Sequence, residues 1–288
     1  MTANDSGVTV LADAQFSPED TILYDLMVSV GEDHVAALLY KHAEKMIAAL
    51  EYYPINEKEG NNASLFNQIS EQSTLLSGKG YRKAACLSAF RSNTLVPNPL
   101  FTEINASDYL SFSNQTASET TVIADVLHQI DAHNVHAIPE WLHSVLSLKF
   151  PGVIINHRSS ALIDYLTSLN KNSGVELMVA DITREYIELV VTRGNKLLLH
   201  NTYKFENAEG LVYFILFACE QLQLNPESVC LRFSGQINSE NPAYKLAHKY
   251  IRDTGFMEKP DLFTYSDAFS EIPEQTFFSL FTQVLCVS

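Results

Sequence analysis

Four histidines, His128, His133, His136 and His143, lie close together in the chain with Asp131 among them, and imidazole is a common ligand for zinc and related metals. Their x4, x2, x6 spacing matches no familiar metal motif, and the segment reads as strand, polar turn, strand and helix start. A solvated hairpin without a metal is therefore expected. Serine nucleophiles need an activating base and an oxyanion pocket. The nearest approach to a GxSxG elbow is Phe233-Ser234-Gly235-Gln236, which lacks the first glycine. No Walker loop and no GxGxxG occurs, so phosphate cradling by a glycine-rich loop has no support. Cys86, Cys219, Cys230 and Cys286 are far apart and show no CxxC spacing; they are expected to be buried thiols of a reducing compartment, which points to the cytoplasm.

Any such chemistry must be positioned by a chain of 288 residues, long enough for two cores, since domains cluster near about 100 to 150 residues. With 46% hydrophobic and 18% charged residues it can bury enough apolar surface to fold. There are 19 Lys and Arg against 34 Asp and Glu, a net charge of −15, with the basic residues scattered. That balance repels polyanions, so nucleic acid and anionic membrane surfaces are excluded as expected partners. The start has no basic n-region, and the longest apolar run, Leu211 to Cys219, falls far short of the about 20 residues a membrane span needs.

Residues 1–20 read as a mobile arm with a short strand at Val8 to Leu11. Ile22 to Val30, His34 to Tyr40 and Met46 to Tyr53 form a three-stranded meander. A helix over Ser64 to Leu76, a strand at Lys83 to Ala89, an irregular stretch from Asn93 to Thr121 and strands Val122 to Ile130 and Val135 to Ile138 follow. Pro139 and Glu140 open a helix through Lys149, before strand Gly152 to His157 and helix Ser159 to Leu169. Asn170 to Gly174 is the clearest linker. The pattern then restarts with strands Val175 to Asp181, Tyr186 to Arg193 and Lys196 to Phe205, helix Ala208 to Leu224 and strand Val229 to Ser234. A helix Asn241 to Thr254, a strand Leu262 to Tyr265 and a helix Pro273 to Leu285 complete it. Both halves thus read βββαβα with a final strand and helix, which predicts an α/β protein with an arm (1–20) and two similar lobes (21–170 and 171–288). The stripe Phe277, Phe278, Leu280, Phe281, Val284, Leu285 is expected to cover a core.

This duplicated order resembles the actin-like ATPase architecture, a pair of RNase H-like domains whose facing hairpin turns grip the phosphates of ATP. Within that group the chain is similar to an uncharacterised bacterial family related to pilus-assembly and cell-division actin-like proteins. The resemblance implies a first phosphate turn of the form Asp-x-Gly. Here the matching stretch is Val28-Ser29-Val30-Gly31-Glu32-Asp33-His34-Val35: Gly31 is kept, Ser29 stands where the metal-directing Asp would be, and Glu32 and Asp33 replace small hydroxyl residues. Two unit charges about 4 Å apart interact by about 4 kcal/mol at a near-surface dielectric, so these carboxylates would oppose a triphosphate unless a cation intervened. The second turn is Val179-Ala180-Asp181-Ile182-Thr183-Arg184-Glu185-Tyr186, which keeps Asp181 and replaces glycine by Thr183. The adenosine motif, a strand ending in paired glycines, corresponds to Val229 through Ile237 and keeps only Gly235.

Gly31, Asp181 and Gly235 are therefore the expected remnant of a nucleotide clasp, with no catalytic residue, no metal and no cofactor. The resemblance with eroded loops implies a non-catalytic scaffold that binds an unidentified protein. The alternative is an ATPase or kinase in which Asp181 orients Mg²⁺ of ATP and Glu185 or Asp25 replaces the missing Asp. A nuclease with a two-metal site is disfavoured by the charge of −15.

Overall fold

The computed structural model describes residues 8–56, 60, 62–113 and 119–286. Thr9–Ala12 (β1) precedes the meander Tyr24–Gly31 (β2), His34–Lys41 (β3) and Met46–Pro54 (β4). Ala63–Gln72 (α1), Thr74–Ser77 (α2) and Lys83–Ala89 (β5) follow. Next come Asn93–Pro97 (β6), Ala106–Ser113 (α3), Thr120–Leu127 (β7), Ala132–Pro139 (β8), Glu140–Lys149 (α4), Ile154–His157 (β9) and Arg158–Asn170 (α5). The second half is Glu176–Ile182 (β10), Tyr186–Arg193 (β11), Lys196–Lys204 (β12), Ala208–Gln221 (α6), Cys230–Gly235 (β13), Pro242–Ala247 (α7) and Asp253–Phe256 (β14), and the chain ends with Thr264–Tyr265 (β15) and Phe278–Thr282 (α8).

The two main sheets repeat one topology. The first runs β4-β3-β2-β5-β9 and the second β12-β11-β10-β13-β14, in each case an antiparallel meander extended by parallel strands. The central strands are apolar on both faces because both faces are covered: all eight residues of β2 are buried. Helices α1, α2 and α4 cover one face of the first sheet through Phe66, Leu76, Leu142 and Leu146, and α6 and α7 cover one face of the second through Leu211, Ile215 and Ala247.

The opposite faces are covered by exchange. Helix α5 lays Leu162, Ile163 and Leu166 on Leu177, Val179 and Val190 of the second sheet, while Phe263, Phe269, Phe277 and Phe281 pack on Met27, Leu38, Ile47 and Leu50 of the first. The last residues of the second unit drawn over 171–288 thus lie on the first sheet. The free edge of β4 is shared by the two ends of the chain, with β1 pairing Ala49 to Tyr52 and β15 pairing Met46 and Ile47. From residue 8 onward the expected mobile arm is docked, since β1 completes that edge and buries Leu11; residues 1–7 lie outside the described part.

Three further expectations change. The stretch expected to be irregular holds β6 and α3, which join β7 and β8 in a separate three-stranded sheet of order β6-β8-β7. The helix expected over Asn241 to Thr254 stops at Ala247, because Arg252 N bonds Pro226 O and Asp253 to Phe256 pair in parallel with β13. The helix expected from Pro273 begins at Phe278, because Gln275 is committed elsewhere: its carbonyl accepts from Gly235 N and its side-chain amide donates to Ile237 O. Among the described residues no helix is long and apolar enough to cross a membrane.

Candidate functional site

The two meanders place their first turns in equivalent register. Ser29 faces Ala36 and Val30 faces Val35 in the first, as Asp181 faces Glu188 and Ile182 faces Ile187 in the second. Ser29 and Asp181 are thus structural counterparts, and so are Gly31 and Thr183. Asp33, His34, Asp181, Thr183 and Glu188 line one cavity between the sheets. Its volume is about 30 Å³, room for about one water molecule.

What fills the space is Arg158, the first residue of α5. Its guanidinium donates to Asp181 Oδ2 at 3.0 Å and to Glu188 Oε2, with its side chain only 12% exposed. A cation at a helix N-terminus opposes the helix dipole, so the carboxylates must hold it there. Burial works against its charge, but Glu188, Asp181 and Asp33 outweigh burial and push its pKa up. Burial also raises Glu188, yet Arg158 and the hydrogen bond from His200 (3.0 Å) hold it well below the usual carboxylate range, with Ser159 Oγ donating at 2.5 Å. Asp181 is raised by burial, partly offset by Arg158, and accepts from Ser234 Oγ at 2.7 Å.

The first turn closes differently. Asp33 Oδ1 lies 2.8 Å from His34 Nδ1, and His34 Nε2 lies 3.0 Å from Ser29 Oγ, while the imidazole stacks on Tyr52. Burial opposes the Asp33 charge, but the His34 hydrogen bond, Arg158 and Arg91 hold its carboxyl well below the usual range. The connectivity is that of a serine–histidine–aspartate relay. Ser29 is 2% exposed within a strand, however, and is not presented on the sharp turn that a nucleophile needs. Glu32 turns away to accept from Arg91 N at 3.1 Å, and burial raises its pKa. The Arg91 guanidinium lies 3.4 Å from the Tyr186 ring centroid and so ties the first half to the second hairpin.

The retained glycines have backbone reasons. Gly235 has φ +83°, and a Cβ there would stand 2.1 Å from Ile182 O, where β13 ends against β10. At Gly31 a Cβ would meet Ala89 Cβ and O at 3.0 Å. Thr183, the counterpart of Gly31, donates its N–H to Tyr186 O at 2.9 Å and needs no glycine.

Of the expected substitutes for the missing Asp, neither reaches Asp181. Glu185 pairs with Lys204 at 2.9 Å on the surface, and Asp25 is buried at the opposite end of β2 against Arg82. Of the hairpin histidines, His128 and His143 are exposed as expected, while His133 and His136 are not. His136 is fully buried and lies 3.2 Å from Asp125, which also accepts from Ser160 Oγ and His157 N. His133 stacks on Phe101 at 3.9 Å. No group of three His, Cys, Asp or Glu that could hold a metal exists among the described residues. Cys86, Cys219 and Cys230 are free thiols; the side chain of Cys286 lies outside the described part.

Mg²⁺ does not fit Asp181 as the residues stand. Both Asp181 oxygens are taken by Arg158 and Ser234, and the equivalent first-turn position is a serine. The cavity beside Glu188 is water-sized, and an adjoining one of about 200 Å³, lined by His34, Asp181, Thr183 and Gly235, also has Arg158 in its wall. Sequence reasoning missed Arg158, Glu188, His34 and Arg91. Glu188 had a signal, a lone carboxylate inside the apolar run Tyr186-Ile187-Glu188-Leu189-Val190-Val191.

A family model described as "Protein of unknown function (DUF3822)" matches residues 13–254. The sequence matches no curated protein. Among solved structures, the fold is similar to a Bacteroides thetaiotaomicron protein with actin-like ATPase fold and unknown function, at TM-score 0.80 and 17% identity, covering 95% of this chain and 100% of that one. It is also similar to a chain of a PilM-PilN type IV pilus biogenesis complex, at TM-score 0.61 and 15% identity, covering 92% and 98%. The fold is the actin-like ATPase fold.

Proposed function

We infer function from the premise that the chain belongs to the DUF3822 family of unknown function, and propose that it is a non-catalytic actin-like scaffold that binds another protein. The observation that carries this reading is the Arg158 guanidinium bridging Asp181 and Glu188. In a phosphate clasp the carboxylate would direct a metal and the backbone would approach a phosphate. Here a side chain supplies the cation, and Asp33 adds a carboxylate to the wall where an anion would sit. Phosphoryl transfer depends on positioned phosphates, bound metal and an oriented nucleophile, whereas the charged residues described in the cleft, Asp33, Arg158, Asp181 and Glu188, are engaged with one another or with His34 and Ser234.

A protein partner suits the chain better than a polyanion, given the net charge of −15. The pilus complex is an example of this fold found together with another protein. No cofactor is assigned. The second reading, an ATPase or kinase, draws on the retained Asp181 and requires Arg158 to withdraw from it.

Calorimetric titration of the full chain with ATP and Mg²⁺ separates the two. No heat of binding is expected, for the unmodified protein or after Ser29→Asp with Thr183→Gly. Micromolar binding, with turnover abolished by Asp181→Ala, overturns the scaffold reading.

A further inference from the structure

A second large cavity lies away from the cleft. A groove of about 860 Å³ runs between β7, β9, α5 and the C-terminal segment. Its apolar lining comes from Ile123, Val126, Ile155, Leu169, Leu262 and Leu285. Val126, Leu169 and Leu262 are each more than half exposed (53%, 52% and 54%) and stand together on this one groove.

Two strand edges open onto it. Among the described residues β7 pairs only with β8 and β9 only with β5, so the stretch Ile123 to Val126 that lines the groove and the outer side of β9 are sheet edges. Such an edge is a ready template for an added strand. The two edges do not pair with each other. Instead the Asp125 side chain joins them by accepting from His157 N, with Ser160 Oγ as a second donor.

The charge of the groove is one-sided. Asp125, Asp164 and Asp261 line it, with His128 as the one basic side chain among the lining residues and no Lys or Arg. Asp164 accepts backbone N–H groups from His128 and Gln129, and burial raises its pKa although those hydrogen bonds and His128 offset part of the cost. A positive side chain arriving from outside would relieve that cost. A negative one would meet three carboxylates.

We propose that this groove binds an extended segment of a partner protein in which apolar residues alternate with Lys or Arg, the backbone adding to the β7 edge and the cations meeting Asp164 and Asp261. Alternation follows from strand geometry, since successive side chains point to opposite faces. The inference rests on the scaffold reading and gives it a docking surface and a partner chemistry.

The test is fluorescence anisotropy on the full chain at physiological salt, using a labelled short peptide of alternating valine and lysine and a valine–glutamate peptide of equal length. Only the lysine peptide is expected to bind. Asp164→Asn with Asp261→Asn, and separately Val126→Lys, should each weaken it about tenfold. Glu227→Gln with Glu240→Gln removes the same charge at side chains 71% and 82% exposed elsewhere and should change nothing. Equal weakening by that control pair would reduce the effect to diffuse attraction by an acidic protein and overturn the proposal. So would binding of the glutamate peptide, absence of binding, or self-association of the chain that Val126→Lys abolishes, which would make a second copy the occupant. Failure here with no ATP binding in calorimetry removes the groove and leaves the scaffold reading standing.

Discussion

The turn after β2 and the turn after β10 occupy the same place in two copies of one topology, yet they differ at both equivalent positions, Ser29 against Asp181 and Gly31 against Thr183. The difference follows from what each site must neutralise. Ser29 is uncharged and is satisfied by one hydrogen-bonding neighbour, His34. Asp181 and Glu188 are two carboxylates side by side in a buried ladder, and they are tenable only with a cation between them. A glycine sits where a neighbouring backbone leaves no room for Cβ, and the carboxylate sits where a guanidinium pairs with it.

The strongest way to break this comparison is to remove the cation. Arg158→Met should destabilise the protein by about 3–5 kcal/mol in urea unfolding, because two buried carboxylates lose their shared partner. Arg158→Met combined with Glu188→Gln should recover part of that loss. A change below about 1 kcal/mol for the single variant would show that the carboxylates are satisfied without Arg158.

The glycines come next. Gly235→Ala forces a Cβ against the backbone of Ile182 at a positive φ, and should cost about 2–3 kcal/mol. Gly31→Ala meets Ala89 at 3.0 Å without an unusual φ and should cost about 1 kcal/mol. Equal thermal shifts for the two would contradict the backbone account of their retention.

Acid should distinguish the carboxylates. Glu188 and Asp33 titrate below the usual range in the folded state. Their contributions are therefore complete above about pH 4 and fade as pH falls through the folded-state values. Asp181 is raised and has the opposite sign: it costs stability once ionised and returns some as pH falls. Urea midpoints across pH should show Glu188→Gln flattening the acid limb by about 2 kcal/mol and Asp181→Asn steepening it. The smallest effect should be Arg91→Ala, about 0.5–1 kcal/mol, from the contact over Tyr186. Its quenching signature is a change in tyrosine fluorescence, and no change would place Arg91 away from the ring in solution.

Much of the architecture was legible because local pattern and tertiary environment agree. The meander β2-β3-β4, helix α4 opened by Pro139 and Glu140, helix α5 and the hairpin at Gly194 all lie close to where periodicity and turn residues put them. The misses occur where a distant partner decides. Asp253 to Phe256 carries no strong strand pattern and becomes a strand because the β13 edge is beside it, and Gln275 stays out of a helix because Gly235 and Ile237 take its polar groups. Gly31, Asp181 and Gly235 lie at the turns and strand end where element order put them, whereas Arg158 follows a strand and opens a helix like any surface residue, and only the meeting of two sheets turns it inward. His136 was assigned to solvent by its polar neighbours, but Asp125 and Ser160 supply a buried polar pocket.

The exchange of covering segments has a consequence for synthesis. Phe263 to Val284 close a face of the first sheet, and Ser266 bonds Ala48 across 218 residues of chain. At ribosomal speeds of about 5–20 residues per second, that face, with Met27, Leu38 and Leu50, is made roughly 10–40 seconds before its cover exists. Strand β1 is made first and can already occupy most of the β4 edge. A nascent chain of this protein therefore guards its edge early and its apolar face late, so premature termination after Pro260 yields a species whose hazard is face-to-face aggregation rather than strand pairing.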